Sequence, residues 1–498
     1  MMPRLFRRLL PLLTLVAPCA GVGAPDAPAP LTLEQAVQRA LAKNYTIQVK
    51  AIGQPIARAA LTEAYGKFDL RIEGSYQDAR NEQPALASPL TGLRPLADIT
   101  KETTASLGVV GLMPWGTSYR LGADTTSDHD TATGLADNYR TFAGLSLTQP
   151  LLRDAGLGAT LIQVRLARTN LAMSEWEYRR TVTDVVTQVV YAYSNYYFAQ
   201  ARLRSTQRSR DLAAQLYREN TRRREVQSMS EFDVLSASAR VAAREDNVLQ
   251  AEFAVSAAAN DLKQLVSDER QPALLNQELT IEPLTTVADT APDPAADFAT
   301  ALAQRPDYRL AQLALRRGDL NHRYARNQLL PRVDANGSYG YNGIGTSWPA
   351  SRRDTRARDY TAYSAGVSVS VPVTFTAERG RYRAARLRLQ QAQLELQQLE
   401  QAIVVDLGNA ARQVESTRRR VAATREARAL NESMLQAELK RLRAGPGSTF
   451  SVLYQQEQLT YAEINEAAAQ SDHIKALAEY DRQTGRTLAK HHIELRAD

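Results

Sequence analysis

From about Gly158 to Val226 the sequence carries one helical pattern without a break. Val182, Val186, Val189, Tyr193 and Tyr196 recur at alternating spacings of four and three, the seam of a coiled coil. About 69 residues at about 1.5 Å each would span roughly 100 Å, farther than any compact core needs. A returning pattern from Ser230 to Ser267 places Val248, Ala251, Val255, Ala258, Leu262 and Leu265 at the same spacing, with alanines that let two helices approach closely. The chain must therefore be elongated, and its length is set by helical hairpins.

The same programme is written twice. Ser75-Tyr76 and Ser338-Tyr339 are offset by 263, Pro150 and Pro372 by 222, and Leu235 and Leu453 by 218. The drop of 41 falls in a region of two-residue periodicity, so the first half carries an extra hairpin there. The drop of four is close to one helical turn and preserves the facing side of the helix.

In that region Phe68, Leu70, Ile72 and Tyr76 alternate with Asp69, Arg71, Glu73, Ser75 and Gln77, the mark of a strand with one apolar and one polar face. Further runs follow at Leu107–Gly111, Tyr119–Ala123 and Ala143–Leu147, and in the second half at Val333–Tyr341 and Tyr363–Val371. A polar loop separates the last two. An antiparallel sheet in a soluble sandwich gives the same alternation. Tyr76, Trp115, Tyr119, Tyr139 and Phe142 lie near strand ends, where a membrane barrel carries aromatic girdles.

The first residues read as an export signal: Arg4, Arg7 and Arg8 precede the apolar run Leu9 to Ala17, and Val22-Gly23-Ala24 offers small residues for cleavage. Cys19 lies inside that segment behind Pro18, which disfavours lipidation; cleavage after Ala24 leaves a chain that cannot use disulfides. No later stretch is apolar enough for a transmembrane helix, so any spanning part must be β. Two or three strand pairs are too few to close a pore, so several chains must contribute.

The predicted fold is mostly α with a small transmembrane β part: a duplicated protomer of helix, strand pair and long helical hairpin, three of which build an α-barrel continuous with a β-barrel. The organisation is a signal peptide over 1–24, first-repeat helices over 25–67, strands with the extra hairpin over 68–150, a long hairpin over 151–267 and a linker over 268–295. Second-repeat helices over 296–330, strands over 331–372, a long hairpin over 373–485 and a tail over 486–498 follow.

The two hairpin turns are the candidate site. In the second, Arg441 and Arg443 precede Gly445, Pro446 and Gly447, which break the helix; Ser448 caps its return, and Phe450 and Leu453 mark the register. In the first, Arg222, Arg223 and Arg224 lead to Ser230 as the cap, followed by Phe232, Asp233 and Leu235. The arginines suit helix C-termini through the macrodipole, and they are also available to a docking partner.

The chain resembles the TolC family of outer-membrane channels over nearly its whole mature length. The resemblance rests on L-T-L-E-Q-A-V-Q-R-A-L at Leu31 to Leu41, S-L-T-Q-P-L-L-R at Ser146 to Arg153, R-P-D-Y-R-L-A-Q at Arg305 to Gln312, L-P-R-V-D-A-N-G-S-Y at Leu330 to Tyr339, and Y-D-R-Q-T-G-R at Tyr480 to Arg486. It implies a homotrimeric duct in outer-membrane lipid with a long periplasmic extension. Its partners would be a periplasmic membrane-fusion adaptor and an inner-membrane pump of RND or ABC type, and its task efflux of small molecules or, alternatively, type I protein secretion. It also implies that the hairpin turns form the docking and gating tip, with R-L-R-A-G…L matched at Gly445 and Leu453. Asp233 matches one of the acidic residues that narrow the family's pore, whereas the second-half positions, Ser451 and Tyr454, are not acidic. The family's usual four strands per chain also leave the extra hairpin around Leu107 to Ala123 as a departure.

Other classes find little to stand on. The net charge of +7 comes with 53 arginines interspersed among acids, which fits a solvated helix face better than a nucleic-acid site. A structural or nucleic-acid-binding coiled-coil protein would leave the export signal and the strands without a role. His129, His322, His473, His491 and His492 read as solvent or tail residues with no metal-ligand spacing, and no cofactor or catalytic motif is expected.

Overall fold

Long helices and one sheet divide the molecule, and the chain passes between them four times. The computed structural model describes residues 30–84, 98–130, 138–276, 279–284, 291–444 and 448–495. The export-signal residues, Cys19 included, lie outside them. Helices α1 (Leu33–Lys43), α2 (Tyr45–Ala51) and α3 (Gly53–Tyr65) open the first repeat. Thr32 caps α1 in a capping box with Gln35, and the Asn44 side chain caps α2, which explains the interruption there.

Four strands follow: β1 (Arg71–Gln83), β2 (Asp98–Leu112), β3 (Ser118–Asp130) and β4 (Asn138–Pro150). Two sequence readings are corrected here. Gly66–Phe68 is a 3-10 turn, so β1 starts later than Phe68, and the third alternating run extends well past Ala123, through His129, to the end of β3. The chain then enters α4 (Gly156–Thr160), α5 (Ile162–Glu225) and α6 (Glu231–Val266).

The second repeat runs α7 (Pro294–Gln304), α8 (Pro306–Asn327), β5 (Arg332–Gly345), α9 (Trp348–Ala357), β6 (Tyr360–Ser370), α10 (Thr376–Ala444), α11 (Thr449–Thr484) and α12 (Thr487–Lys490). α6 and α11 each have 36 residues, and both their ends are offset by 218, the value read from the sequence. α9 stands between the last two alternating runs, where the sequence pattern predicts a loop.

The six strands form one antiparallel sheet in the order β1-β2-β3-β4-β5-β6. The β2–β3 hairpin is inserted in register between β1 and β4, joined by a turn in which Met113 and Thr117 pair and Gly116 takes a φ of 104°. One face carries Ile72, Leu107, Leu121, Leu145, Tyr339, Tyr363 and Val367, all exposed. The other carries Ser75, Ser106, Arg120, Asp124, Ser146, Ser338 and Ser364, with Arg120 and Asp124 paired at 2.7 Å. Phe142 belongs to this polar face, beside Gly144 and Gly340, so it is no part of an outer aromatic girdle. β1 and β6 are the edges, each paired with a neighbouring strand on one side only among the described residues.

The main core lies midway along the first hairpin. Val182, Val186, Val189, Tyr193 and Tyr196 are all buried, as the seam predicts, against α1, Leu262 and the segment around Leu279–Leu284. Tyr193 Oη donates to the carbonyl of Leu31 at 2.9 Å and Tyr196 Oη to that of Leu279 at 2.6 Å, tying leader and linker to the hairpin. Burial pushes the Tyr193 phenol up to about 12. A second belt explains the R-P-D motif. The Arg305 guanidinium forks onto Asp307 at 3.0 and 2.7 Å and also reaches Gln483, joining α8 to the end of α11.

Candidate functional site

At the first turn, Arg222, Arg223 and Arg224 lie in the last turn of α5, just before its final residue Glu225. Gln227 adopts φ 55°; its N–H donates to the Arg224 carbonyl and that of Ser228 to the Arg223 carbonyl, both at 2.8 Å. This is a Schellman ending with glutamine in the left-handed position where glycine is usual. Ser230 then caps α6, its Oγ accepting from the Asp233 N–H at 3.1 Å. The Ser230 hydroxyl also donates to the Asp233 carboxylate, which sits at its own helix N-terminus, where negative charge is favoured.

The serine cap is repeated at the start of α11. Ser448 Oγ accepts from the Ser451 N–H at 3.1 Å, and Ser451, standing where the first turn has Asp233, adds a hydroxyl contact at 2.9 Å. Gly445, Pro446 and Gly447 lie outside the described residues. Of the tip arginines, Arg223 pairs with Glu219, Arg224 with Glu231 at 3.6 Å and Arg441 with Glu438 at 2.8 Å; Arg443 is exposed.

The apolar tip residues divide. Phe232 and Phe450 are 77% and 65% exposed, while Val234 and Val452 are buried. Leu235 is 66% exposed but its counterpart Leu453 only 9%, so equivalent residues face different surroundings. Phe450 is brought against the first hairpin, with Arg240 Cζ 5.5 Å from its ring centroid. Nearby, Arg244 on α6 pairs with Glu457 on α11 at 3.3 Å.

These contacts continue as a ladder that the sequence reading missed. Along α5 and α11, Arg208 and Ser205 meet Glu463 at 2.9 and 2.7 Å, Tyr197 meets Gln470 at 3.1 Å, and Ser471 donates to the Ser194 carbonyl at 3.0 Å. Tyr191 meets Glu479 at 3.0 Å and Arg482 approaches Asp184 at 3.8 Å. The partners advance in opposite directions without slipping, as antiparallel helices in one register must. Burial opposes ionisation of Glu479, yet the bonds from Arg482 and Gln483 prevail and hold its carboxyl below the usual range. Burial outweighs Arg482 and Arg180 at Asp184, whose carboxyl is raised. Such pairs sit more than 200 residues apart, and local periodicity carries no trace of them.

The histidines take structural places. His473 is buried and bonded to Thr417 at 3.0 Å, a helix-packing role rather than the solvent position expected. His322 stacks on Tyr382 with ring centroids 5.3 Å apart. Among the described residues no group of His, Cys, Asp and Glu could hold a metal ion, and no helix is long and apolar enough to cross a membrane.

Residues 299–486, most of the second repeat, match the family model described as outer membrane efflux protein. The chain is 27% identical over 367 residues to outer membrane efflux protein BepC of Brucella suis biovar 1 (strain 1330), covering 71% of this chain and 74% of that one. Among solved structures, the Campylobacter jejuni CmeC outer membrane channel superposes with a TM-score of 0.68 at 16% identity, over 91% of this chain and 86% of that one. The outer-membrane channel OprN gives 0.68 at 19%, over 91% and 89%, and the outer membrane protein VceC of Vibrio cholerae 0.67 at 14%, over 91% and 96%. At these identities the structural likeness establishes the fold.

Proposed function

We infer that this chain, a TolC-like member of the outer membrane efflux protein family, is the outer-membrane duct of an envelope-spanning efflux system. One observation carries the reading: a single sheet with one exposed apolar face, one polar face and two unpaired edges, continuous with helices of 64 and 69 residues. In hydrocarbon an open edge is untenable, since each unsatisfied backbone group costs several kcal/mol. β6 and β1 run in opposite directions, so β6 of one copy can pair antiparallel with β1 of the next and close a ring. A trimer closes it with eighteen strands, and the inserted hairpin widens the barrel. The polar face then lines water and the apolar face meets lipid.

The tips are the proposed docking end. Phe232, Leu235 and Phe450, exposed beside Arg223, Arg441, Arg443, Ser230, Asp233, Ser448 and Leu453, offer the mixed apolar and cationic surface that a helical adaptor tip would cover; Gly445, Pro446 and Gly447 stand between α10 and Ser448 in the sequence and are proposed with them. An adaptor there would connect the duct to an inner-membrane pump of RND or ABC type. Solutes would pass through without chemistry, so the pump chooses them. Protein secretion and nucleic-acid binding are not favoured by the family match.

Deleting the gene in a strain lacking other channels, then restoring it, tests the reading. The restored protein should fractionate with outer membranes as a detergent-stable oligomer and lower intracellular accumulation of a panel of dyes and drugs. A monomeric soluble periplasmic protein, or unchanged accumulation for every compound, would overturn it.

A further inference from the structure

The helix α9 follows β5 at the end of the sheet farthest from the long helices, and it folds back onto the apolar-parity face. Its inward residues are Ser351 and Thr355, both buried. Ser351 Oγ lies 2.7 Å from Thr141 Oγ1 and 3.1 Å from the Gly343 carbonyl, and Trp348 Nε1 donates to Thr125 Oγ1 at 3.4 Å. The seat is cut for it: a Cβ on Gly343 would meet Thr355 Oγ1, and one on Gly345 would lie 2.5 Å from the Ser351 nitrogen. Asp354, the one acid in α9, is turned to the backbone N–H of Ile344 at 3.0 Å.

What α9 itself leaves outward is cationic, with Arg358 and the exposed Asp359 just beyond its end. Arg352, Arg353, Arg356 and Arg358 are exposed, and none pairs with a carboxylate among the described residues. Arg352 lies 5.0 Å from the Trp348 ring centroid and Arg358 5.6 Å from that of Tyr341, while Trp348 and Tyr360 are themselves exposed. Height on the sheet decides what this surface meets. Val333 and Gly343 share the apolar face ten residues apart, about 34 Å along the strand and about 26 Å along the membrane normal at a barrel's usual tilt. That is the thickness of a barrel's apolar band, so α9 starts where hydrocarbon ends and outer-leaflet headgroups begin. Arginine forks with flanking aromatics at that level are complementary to phosphate.

We propose that Arg352, Arg353 and Arg356 bind the phosphate groups of the outer-leaflet glycolipid, anchoring the barrel in lipopolysaccharide. This rests on the outer-membrane reading above, and a wild-type chain absent from outer membranes would sink that reading separately. The test uses the purified full-length oligomer, with lipopolysaccharide, dephosphorylated lipopolysaccharide, zwitterionic phospholipid vesicles and inorganic phosphate as probes. At about fivefold per arginine, the triple variant R352Q/R353Q/R356Q should bind lipopolysaccharide about a hundredfold more weakly, while R352K/R353K/R356K retains most of the affinity. Dephosphorylated lipopolysaccharide should bind the wild type as weakly as lipopolysaccharide binds the glutamine variant, a comparison that needs no mutant to fold. Equal binding of both lipopolysaccharides by the wild type would overturn the proposal. So would equal binding by wild type and glutamine variant, or full competition by millimolar inorganic phosphate, the sign of a small-anion site.

Discussion

Replacing Glu463 by alanine tests whether the ladder between the hairpins holds the tips together. Its carboxylate accepts from Ser205 Oγ at 2.7 Å and Arg208 Nη1 at 2.9 Å, joining α11 to α5. It lies fifteen residues beyond Ser448, about 22 Å from the tip. A hydrogen bond to a charged group contributes about 1.5–3 kcal/mol. The Arg208 pair adds well under about 1 kcal/mol, because that guanidinium is largely in water. A loss of about 2 kcal/mol shifts a local opening equilibrium about 30-fold. Amides near Ser205 and Glu463 should then exchange about 30-fold faster, and purified channels in planar bilayers should show a higher open fraction. Glu463→Ala combined with Ser205→Ala should cost less than the two single losses added, since both remove the same bond. Wild-type exchange rates together with unchanged conductance would refute the ladder as a restraint.

Gln227 holds a left-handed conformation that glycine adopts freely, so Gln227→Gly should stabilise the first tip by about 1 kcal/mol and slow tryptic cleavage at Arg222–Arg224. Leu145→Arg puts a charge near mid-height on the apolar face and should cost about 2–4 kcal/mol per chain and block membrane assembly, whereas Ser338→Arg on the polar face should assemble normally; oligomer bands on a gel distinguish them. Burial raises the Asp307 carboxyl, but the Arg305 fork and the Tyr308 N–H outweigh it and hold the carboxyl below its ordinary value. Its stabilisation is thus present above the unfolded-state pKa and lost as pH falls through the lower folded value, so Asp307→Asn should flatten the acid limb of the urea-midpoint profile. Gly340→Ala places a Cβ 2.7 Å from Gly144 Cα and against the Ala143 carbonyl, and should abolish sheet assembly, while Gly366→Ala meets nothing within 4 Å and should be silent in the same gel assay.

The hairpins were legible because a seam needs regular apolar spacing: Val182 through Tyr196 could pack in no other way over that length. The caps were legible too, since Ser230 and Ser448 each stand just before a register that the duplication repeats. The far part of β2 was not. Thr100 to Thr104 pair with both neighbours yet lack an apolar row, because strand rising past the lipid has water on both sides and needs no alternation. α9 escaped for a related reason. Its buried stripe is Ser351 and Thr355 set against glycines, so the usual apolar period is missing, and Pro349 in the first turn was the one local signal. For Phe142, position near a strand end says nothing of the face; alternation from Leu145 places it on the polar side. The cross-hairpin bonds depend on which helix neighbours which, a fact fixed by tertiary packing alone.

The inserted hairpin also reconciles two circumferences. Four long helices per chain, at about 9–10 Å each, give a trimer about 110–120 Å around its helical wall. Strands about 4.8 Å apart and tilted about 40° each take up about 6.2 Å of a barrel's circumference, so twelve make about 75 Å and eighteen about 112 Å. With β2 and β3 in the ring the sheet matches the helical wall, and the chain can pass from Pro150 into α4 and from Ser370 towards α10 without a steep taper. A duct of even bore has no reason to select at its membrane end. On the proposed reading, narrowing and adaptor docking fall instead to the ladder and the two tips. Exit width and entry control then lie, on that reading, in different parts of the repeat: the first in the strands that one half has and the other lacks, the second in the turns that both halves share.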